Sequence, residues 1–218
     1  MKRIIIICEG QTEREFCKTS LFPHFISRNI IIQYPLIKKT SEGIIKWSEI
    51  KLQIENHLKE DATAYVTMLV DYYGMYKKHE FPDWELSLKI ADRNQRMDVF
   101  EKAMKDDVNG EFNYRFIPYL QLHEFEGLLF NNIETFTSQI PANEITDIKE
   151  LESILNSYPN PELINDNPET APSKRLHKLI AGYKKVVYGN ILAEVIGLER
   201  IRNKCPRFNL WITKLENF

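Results

Sequence analysis

No stretch of these 218 residues is repeated, low in complexity, or apolar for long enough to cross a bilayer. A membrane-spanning helix needs about 20 consecutive apolar residues, whereas the run that opens at Ile4 is stopped by Glu9. The same early stop argues against a secretory leader, which needs a longer apolar core and a small-residue cleavage site. Cysteine is scarce: Cys8, Cys17 and Cys205 are odd in number, scattered and without metal-ligand spacing. That excludes a disulfide framework and a thiolate zinc site and suits a reducing, cytoplasmic setting. Gly and Pro, at 8 and 10 residues, are too few for a linker-rich or fibrous chain. An excess of positive charge is also missing, since 29 basic residues face 31 acidic ones. A chain with a net charge of -2 has no global field to draw it onto nucleic acid. A nucleic-acid role would need a local basic patch, or a partner that supplies one.

What remains is the composition of an ordinary globular domain, 43% hydrophobic and 28% charged. Ile4 to Cys8 is a short β-branched run, the pattern of a strand buried on both faces of a parallel sheet. Glu9-Gly10-Gln11 follows as a turn, and Thr12, with Glu15 three residues on, reads as the capping box of a helix reaching about Ser27. Phe16, Leu21 and Phe25 are candidates for its inner face. Ile30 to Ile37 is expected to form a second strand, Thr40 to Gly43 a turn, and Trp47 to Leu58 a helix with Ile50, Ile54 and Leu58 facing inward. Ala64 to Val70 is a third strand, stopped at Asp71. A long helix from about Trp84 to Lys105 and a fourth strand, Arg115 to Leu122, complete four strand–helix alternations. The expected fold class is therefore α/β, a mostly parallel four-stranded sheet flanked by helices. Residues 1–131 form this core. Residues 132–218, broken repeatedly by proline, read as a C-terminal helical cap on the same domain, with helices over Ala193–Arg202 and Phe208–Leu215.

In open α/β sheets, function collects at the carboxyl ends of the strands. Glu9, with Glu13 in the next helical turn, ends the first strand; Asp71 ends the third; Glu124, with Glu126 beyond it, ends the fourth. Carboxylates converging in this way repel one another unless a cation lies among them. Oxygen donors without Cys or paired His favour Mg²⁺ or Mn²⁺ over Zn²⁺. The plainer reading is that acids after strands are common, because loops are polar and acids suit helix N-termini. Glu13 and Glu15 fit that description, although Glu13 also faces the crevice. His123 is a candidate general base or ligand, and equally an ordinary structural hydrogen-bonder. Tyr72 and Tyr73 either stack on a base or cover the sheet edge.

A second polar cluster runs from Asn165 to Arg175. Ser173 is placed to cap a helix beginning at Lys174, and Lys174 and Arg175 then become candidate phosphate contacts. A capped surface helix with a solvated basic turn explains the same residues. Lys184, Lys185, Arg200, Arg202, Lys204 and Arg207 add positive charge to the last third. The chain is thus polarised, acids at the crevice and bases in the cap, as suits a metal site facing a phosphodiester, or an acidic partner protein.

The segment Cys8-Glu9-Gly10-Gln11-Thr12-Glu13 after an apolar strand resembles the opening of Toprim domains. Three later segments, Leu122-His123-Glu124-Phe125-Glu126, Glu169 to Leu176, and Lys204-Cys205-Pro206 with Phe208, are similar to one prokaryotic family, "domain of unknown function 4276". That likeness covers nearly the whole chain. The resemblance implies a Toprim-like sheet and Mg²⁺-dependent (or Mn²⁺-dependent) phosphodiester chemistry on nucleic acid, in anti-phage or mobile-element systems. Glu9, Glu13 and His123 would be the catalytic residues, and Glu9, Asp71, Glu124 and Glu126 the metal ligands. Ser173, Lys174 and Arg175 would meet phosphate. An ABC- or SMC-type ATPase is the implied partner, with a homodimer as a further possibility and no membrane association. One position departs from the Toprim pattern: the second acid of Asp-x-Asp is Tyr73 here. Either Glu124 or Glu126 replaces it, or the domain is a catalytically degenerate regulatory or sensor subunit that binds the ATPase.

Overall fold

Successive residues of the first strand, β1 (Lys2–Cys8), point to opposite sides of the sheet, and both sides are apolar. Ile4, Ile6 and Cys8 enter one hydrophobic cluster; Ile5 and Ile7 enter another. The computed structural model describes residues 1–38, 46–164 and 168–218. The expected turn at Thr40–Gly43 and the Asn165–Asn167 part of the polar cluster lie outside the described residues.

Four further strands follow: β2 (Ile30–Gln33), β3 (Ala64–Asp71), β4 (Phe116–Ile117) and β5 (Leu120–Gln121). All pairings are parallel, in the order β2-β1-β3-β4, with β5 continuing beside β3 through Val70–Leu120 and Asp71–Gln121. The expected fourth strand is present but interrupted, because Pro118 lacks the N–H that a continuous ladder needs. The second strand stops at Gln33 rather than Ile37, just before Pro35, although Leu36 still bridges to Cys8.

The helices are α1 (Gln11–Phe16), which runs through a π-helical turn at Cys17–Leu21 into α2 (Phe22–Ile26), then α3 (Trp47–Glu60), α4 (Trp84–Ser87) and α5 (Arg93–Asp107). The C-terminal part contributes α6 (Ile133–Gln139), α7 (Ile148–Ser157), α8 (Pro172–Leu179), α9 (Lys185–Ile196), α10 (Leu198–Lys204) and α11 (Pro206–Glu216). Helices α3 and α5 cover one face through Ile50, Ile54, Leu58, Met97, Phe100 and Met104. The opposite face carries α1, α2 and the C-terminal helices, whose Phe136, Leu176, Leu192 and Trp211 share a cluster with Ile4, Ile6, Phe16, Leu21 and Phe25.

Three helix boundaries differ from expectation for local reasons. The first helix is capped at Gly10, whose N–H donates to Glu13 at 2.9 Å, so the box lies two residues before the Thr12–Glu15 pair. The predicted Trp84–Lys105 helix is two helices, because the Asp92 carboxylate accepts the Gln95 N–H and starts α5 afresh. The predicted Ala193–Arg202 helix breaks at Gly197, whose φ of 78° ends α9.

The strand order creates the crevice. From β1 the chain turns outward to β2, and from β3 it moves the other way to β4 and β5. The loops leaving the adjacent carboxyl ends of β1 and β3 therefore diverge, the arrangement in which α/β sheets bind ligands.

Trp211 of α11 fastens the cap to the sheet. Its indole N–H donates to Thr67 of β3 at 2.9 Å, and its ring stacks on Tyr119 at 4.5 Å between centroids. Replacing it removes a fully enclosed aromatic. Urea unfolding should show Trp211→Ala less stable by about 3–5 kcal/mol. Trp211→Phe, which keeps most of the packing but leaves Thr67 without its donor, should lose about 1–3 kcal/mol.

Candidate functional site

Backbone hydrogen bonds tie the acidic strand ends together. Glu9 follows β1, and its Oε2 accepts the backbone N–H of Asp71, the last residue of β3, at 2.8 Å. The Oδ1 of Asp71 in turn accepts the N–H of Phe125 at 2.9 Å, joining β3 to the 3-10 turn Phe125–Leu129. Glu126 lies in that turn with no solvent exposure. The Lys185 ammonium, on the first residue of α9, stands 3.1 Å from Glu126 Oε2 and 4.0 Å from Asp71 Oδ2. Glu126 Oε1 is buried and has no hydrogen-bond partner. The hydroxyl of Tyr183, 5% exposed, likewise has none.

The remaining expected residues are placed as follows. Glu13 is buried beside Gly10. Glu124 is buried too, and both of its oxygens are engaged by Ser173: Oε2 accepts the Ser173 N–H and Oε1 the hydroxyl, each at 2.8 Å. Ser173 is accordingly not a cap. Helix α8 begins at Pro172 with Ala171 preceding it, and the Glu124 carboxyl accepts a backbone N–H of its first turn. His123 has left-handed backbone, φ 70°, which turns the chain just after β5. Its carbonyl accepts the Tyr73 N–H at 2.8 Å, and its Nε2 lies 3.0 Å from the Arg93 guanidinium. A guanidinium can only donate, so that nitrogen accepts and carries no proton here. Arg175 donates to the Thr170 carbonyl and lies over the Tyr158 ring, while Lys174 is exposed on α8. Among the described residues no three Asp, Glu, His or Cys side chains are gathered closely enough to hold one metal ion as they stand.

Residues 8–216 match the model of a family described as "Domain of unknown function (DUF4276)". The chain belongs to this family. No curated protein and no solved structure matches it. The three later segments that carry the family likeness meet in space. Glu124 holds Ser173, and Phe125 and Phe208 both pack on Phe16, at 5.1 and 6.0 Å between ring centroids.

In this member of the family the crevice is charged against its own burial. Burial first, then the carboxylates of Glu9, Glu13 and Glu126, hold the Asp71 carboxyl well above the ordinary carboxylate range, with Lys185 acting in the opposite sense. Burial also raises Glu126, opposed by Lys185 and reinforced by Glu124. Burial alone would lower the Lys185 ammonium, yet Asp71, Glu126 and Glu13 outweigh it and keep Lys185 above its usual value. Burial raises the Tyr183 phenol, and the charges of Glu126 and Glu124 add to that rise. Asp71 and Glu126 thus share one ammonium, which can balance only one of them when both ionise.

Lys185, Tyr183 and Arg93 are the residues that sequence reasoning missed as members of the site. Lys185 reads in the sequence only as one of several C-terminal bases. No spacing rule links it to Asp71, because the link is the packing of α9 against α1.

A raised native Asp71 means that the folded state keeps a proton which the unfolded chain has lost. Stability from this group is full below the ordinary carboxylate range and falls as pH rises through the elevated native value. Asp71→Asn retains an oxygen for the Phe125 N–H. In metal-free buffer it should therefore melt a few degrees above the wild type at about pH 8, with the gain shrinking toward about pH 4. Thermal melts across that range check the expectation.

Proposed function

We propose that this protein is a divalent-cation-dependent phosphodiesterase acting on nucleic acid, a Toprim-type nuclease. The observation that carries the reading is the sharing of one ammonium by two buried carboxylates, Asp71 and Glu126, one of which has an oxygen with no partner. That donor set is hard, oxygen-only and short of positive charge, which fits Mg²⁺ or Mn²⁺. Asp71 and Glu126 would hold the ion, with Glu9 beside them at the end of β1. Glu124, committed at both oxygens to Ser173, is less suited to ligation than Glu126. The bound cation would activate water and neutralise the charge that develops on the phosphate.

The chain's own residues divide the remaining work. Glu9 fixes the backbone of Asp71, and Asp71 fixes the turn that carries Glu126, so the acids are oriented before any substrate arrives. Glu124 anchors the start of α8, and the exposed Lys174 lies on that helix as a candidate phosphate contact. The near-neutral net charge supports a further element of the proposal: a partner, an ATPase of the ABC or SMC type, brings the nucleic acid to the crevice in an anti-phage or mobile-element system.

A second reading has its own support. Lys185 already balances part of the acidic charge, and Tyr73 stands where a second acid is expected. On that reading the crevice is a degenerate one in a regulatory subunit, and its acids recognise a partner.

Cleavage of single- and double-stranded DNA and RNA, with Mn²⁺ or Mg²⁺ and with the partner ATPase present, separates the two. Asp71→Asn and Glu126→Gln should each lower cleavage by about a hundredfold or more, the several kcal/mol a bound cation contributes. Full activity in both variants, or activity untouched by EDTA, would overturn the nuclease reading.

A further inference from the structure

Lys185 stands apart from the other bases of the C-terminal part. Arg202 pairs with Glu216, and Arg207 with Asp98 and Glu101, partners on the packed helices α11 and α5. Lys185 alone among these is directed at the two carboxylates of the crevice, across the chain from its own helix. Its backbone position is set by helix packing. It is the first residue of α9, and α9 packs on α1 at Gly189, where an added methyl would lie in ordinary contact with Thr12 at 3.5 Å and the Tyr183 hydroxyl at 3.7 Å. The side chain is nonetheless 41% exposed, so its ammonium reaches the acids from the solvent side of the crevice and has somewhere to go if it leaves. Tyr183 supplies an independent sign that the arrangement is incomplete. Its hydroxyl is buried beside the acids with no hydrogen-bond partner, and Glu126 Oε1 is in the same condition. Buried polar atoms without a partner cost stability and call for an explanation, of which a bound ion is one.

We propose that Lys185 is an internal competitor of the divalent cation: its ammonium holds the carboxylates of Asp71 and Glu126 while the cation is away and is displaced when the cation binds. This rests on the reading of the crevice as a cation site. An ammonium brings one positive charge and a divalent ion brings two, so the ion can balance both carboxylates where the ammonium balances one. In the cation-free protein the same pairing keeps two buried acids from facing each other unscreened. The consequence is a site that loads conditionally, because part of the cation's binding energy is spent on expelling Lys185.

Mn²⁺ binding, followed by calorimetry and by Mn²⁺ electron paramagnetic resonance on the full chain, tests this without any cleavage assay. Lys185→Met should bind Mn²⁺ about tenfold more tightly than the wild type, the competitor having been removed. A second measurement uses the unaltered protein. Reductive methylation of Lys185, read by peptide mass spectrometry, should accelerate several-fold at saturating Mn²⁺, while exposed lysines such as Lys174 keep their rates. If Lys185→Met does not fold, the methylation arm decides alone. Equal or weaker Mn²⁺ binding by Lys185→Met, or a Lys185 methylation rate indifferent to bound Mn²⁺, overturns the competitor and leaves the cation site standing. No Mn²⁺ binding to either protein at millimolar concentration overturns both.

Discussion

Asp71 and Glu126 are buried within reach of the same ammonium, and the geometry of the crevice depends on that fact. Two carboxylates withdrawn from water repel each other strongly, because the medium around them screens poorly. Lys185 lowers that cost, and it can do so only if α9 begins where it does. The start of α9 is in turn fixed by its packing on α1, whose own start is fixed by Glu13 closing on Gly10 directly after β1. A chain of short-range constraints thus leads from the end of the first strand to a lysine deep in the C-terminal part.

The same logic explains why the C-terminal helices are not an ornament on the sheet. One hydrophobic cluster runs from Ile4 and Ile6 of β1 through Phe16 to Phe208 and Trp211 of α11. Glu162, itself buried, accepts the backbone N–H groups of Arg207 and Phe208 and so fixes the start of α11. Glu124 performs the corresponding service for α8. Two buried glutamates therefore satisfy backbone N–H groups at helix N-termini, and in Glu162 those bonds oppose the rise that burial causes. Glu126 is differently placed, for its ion pair is with a side chain that is partly in water.

The sheet was legible because its signal is local. Short apolar runs closed by an acid, as at Ile4–Cys8 and Ala64–Val70, admit few other structures; Glu9 and Asp71 do stand at strand ends, whereas Glu124 lies three residues beyond β5. The helix breaks at Asp92 and Gly197 were less legible because capping competes there with an unbroken pattern of helix-forming residues. Fourth-strand continuity misled for a similar reason: the alternation of Arg115 to Leu122 passes through Pro118 without a change of hydrophobic pattern, and only the missing N–H interrupts it. Lys185 lay beyond sequence reasoning altogether. Its role rests on a contact between elements far apart in the chain, and a lysine pair opening a helix carries no mark that separates a site residue from a solvated one.

Tyr73, which stands where the Toprim resemblance would put a second acid, has a defined structural setting. Residue 73 belongs to the loop beyond β3, and its N–H is spent on the carbonyl of His123, at the end of β5. The backbone at this point is joined to the segment after β5, and the Phe125 N–H brings that segment to Asp71 at 2.9 Å. Of the two acids available there, Glu124 faces α8 and Glu126 faces Lys185. Only Glu126 retains an oxygen without a partner. On the proposed reading of the crevice, Glu126 is the acid that would take the place of a second ligand at position 73, and the left-handed backbone of His123 turns the chain ahead of it. Strained backbone of this kind persists where its surroundings over-determine it. Here the Tyr73 N–H on one side and the Arg93 guanidinium on the other hold His123 in place. The same two contacts set the direction in which the chain enters the turn that carries Glu126.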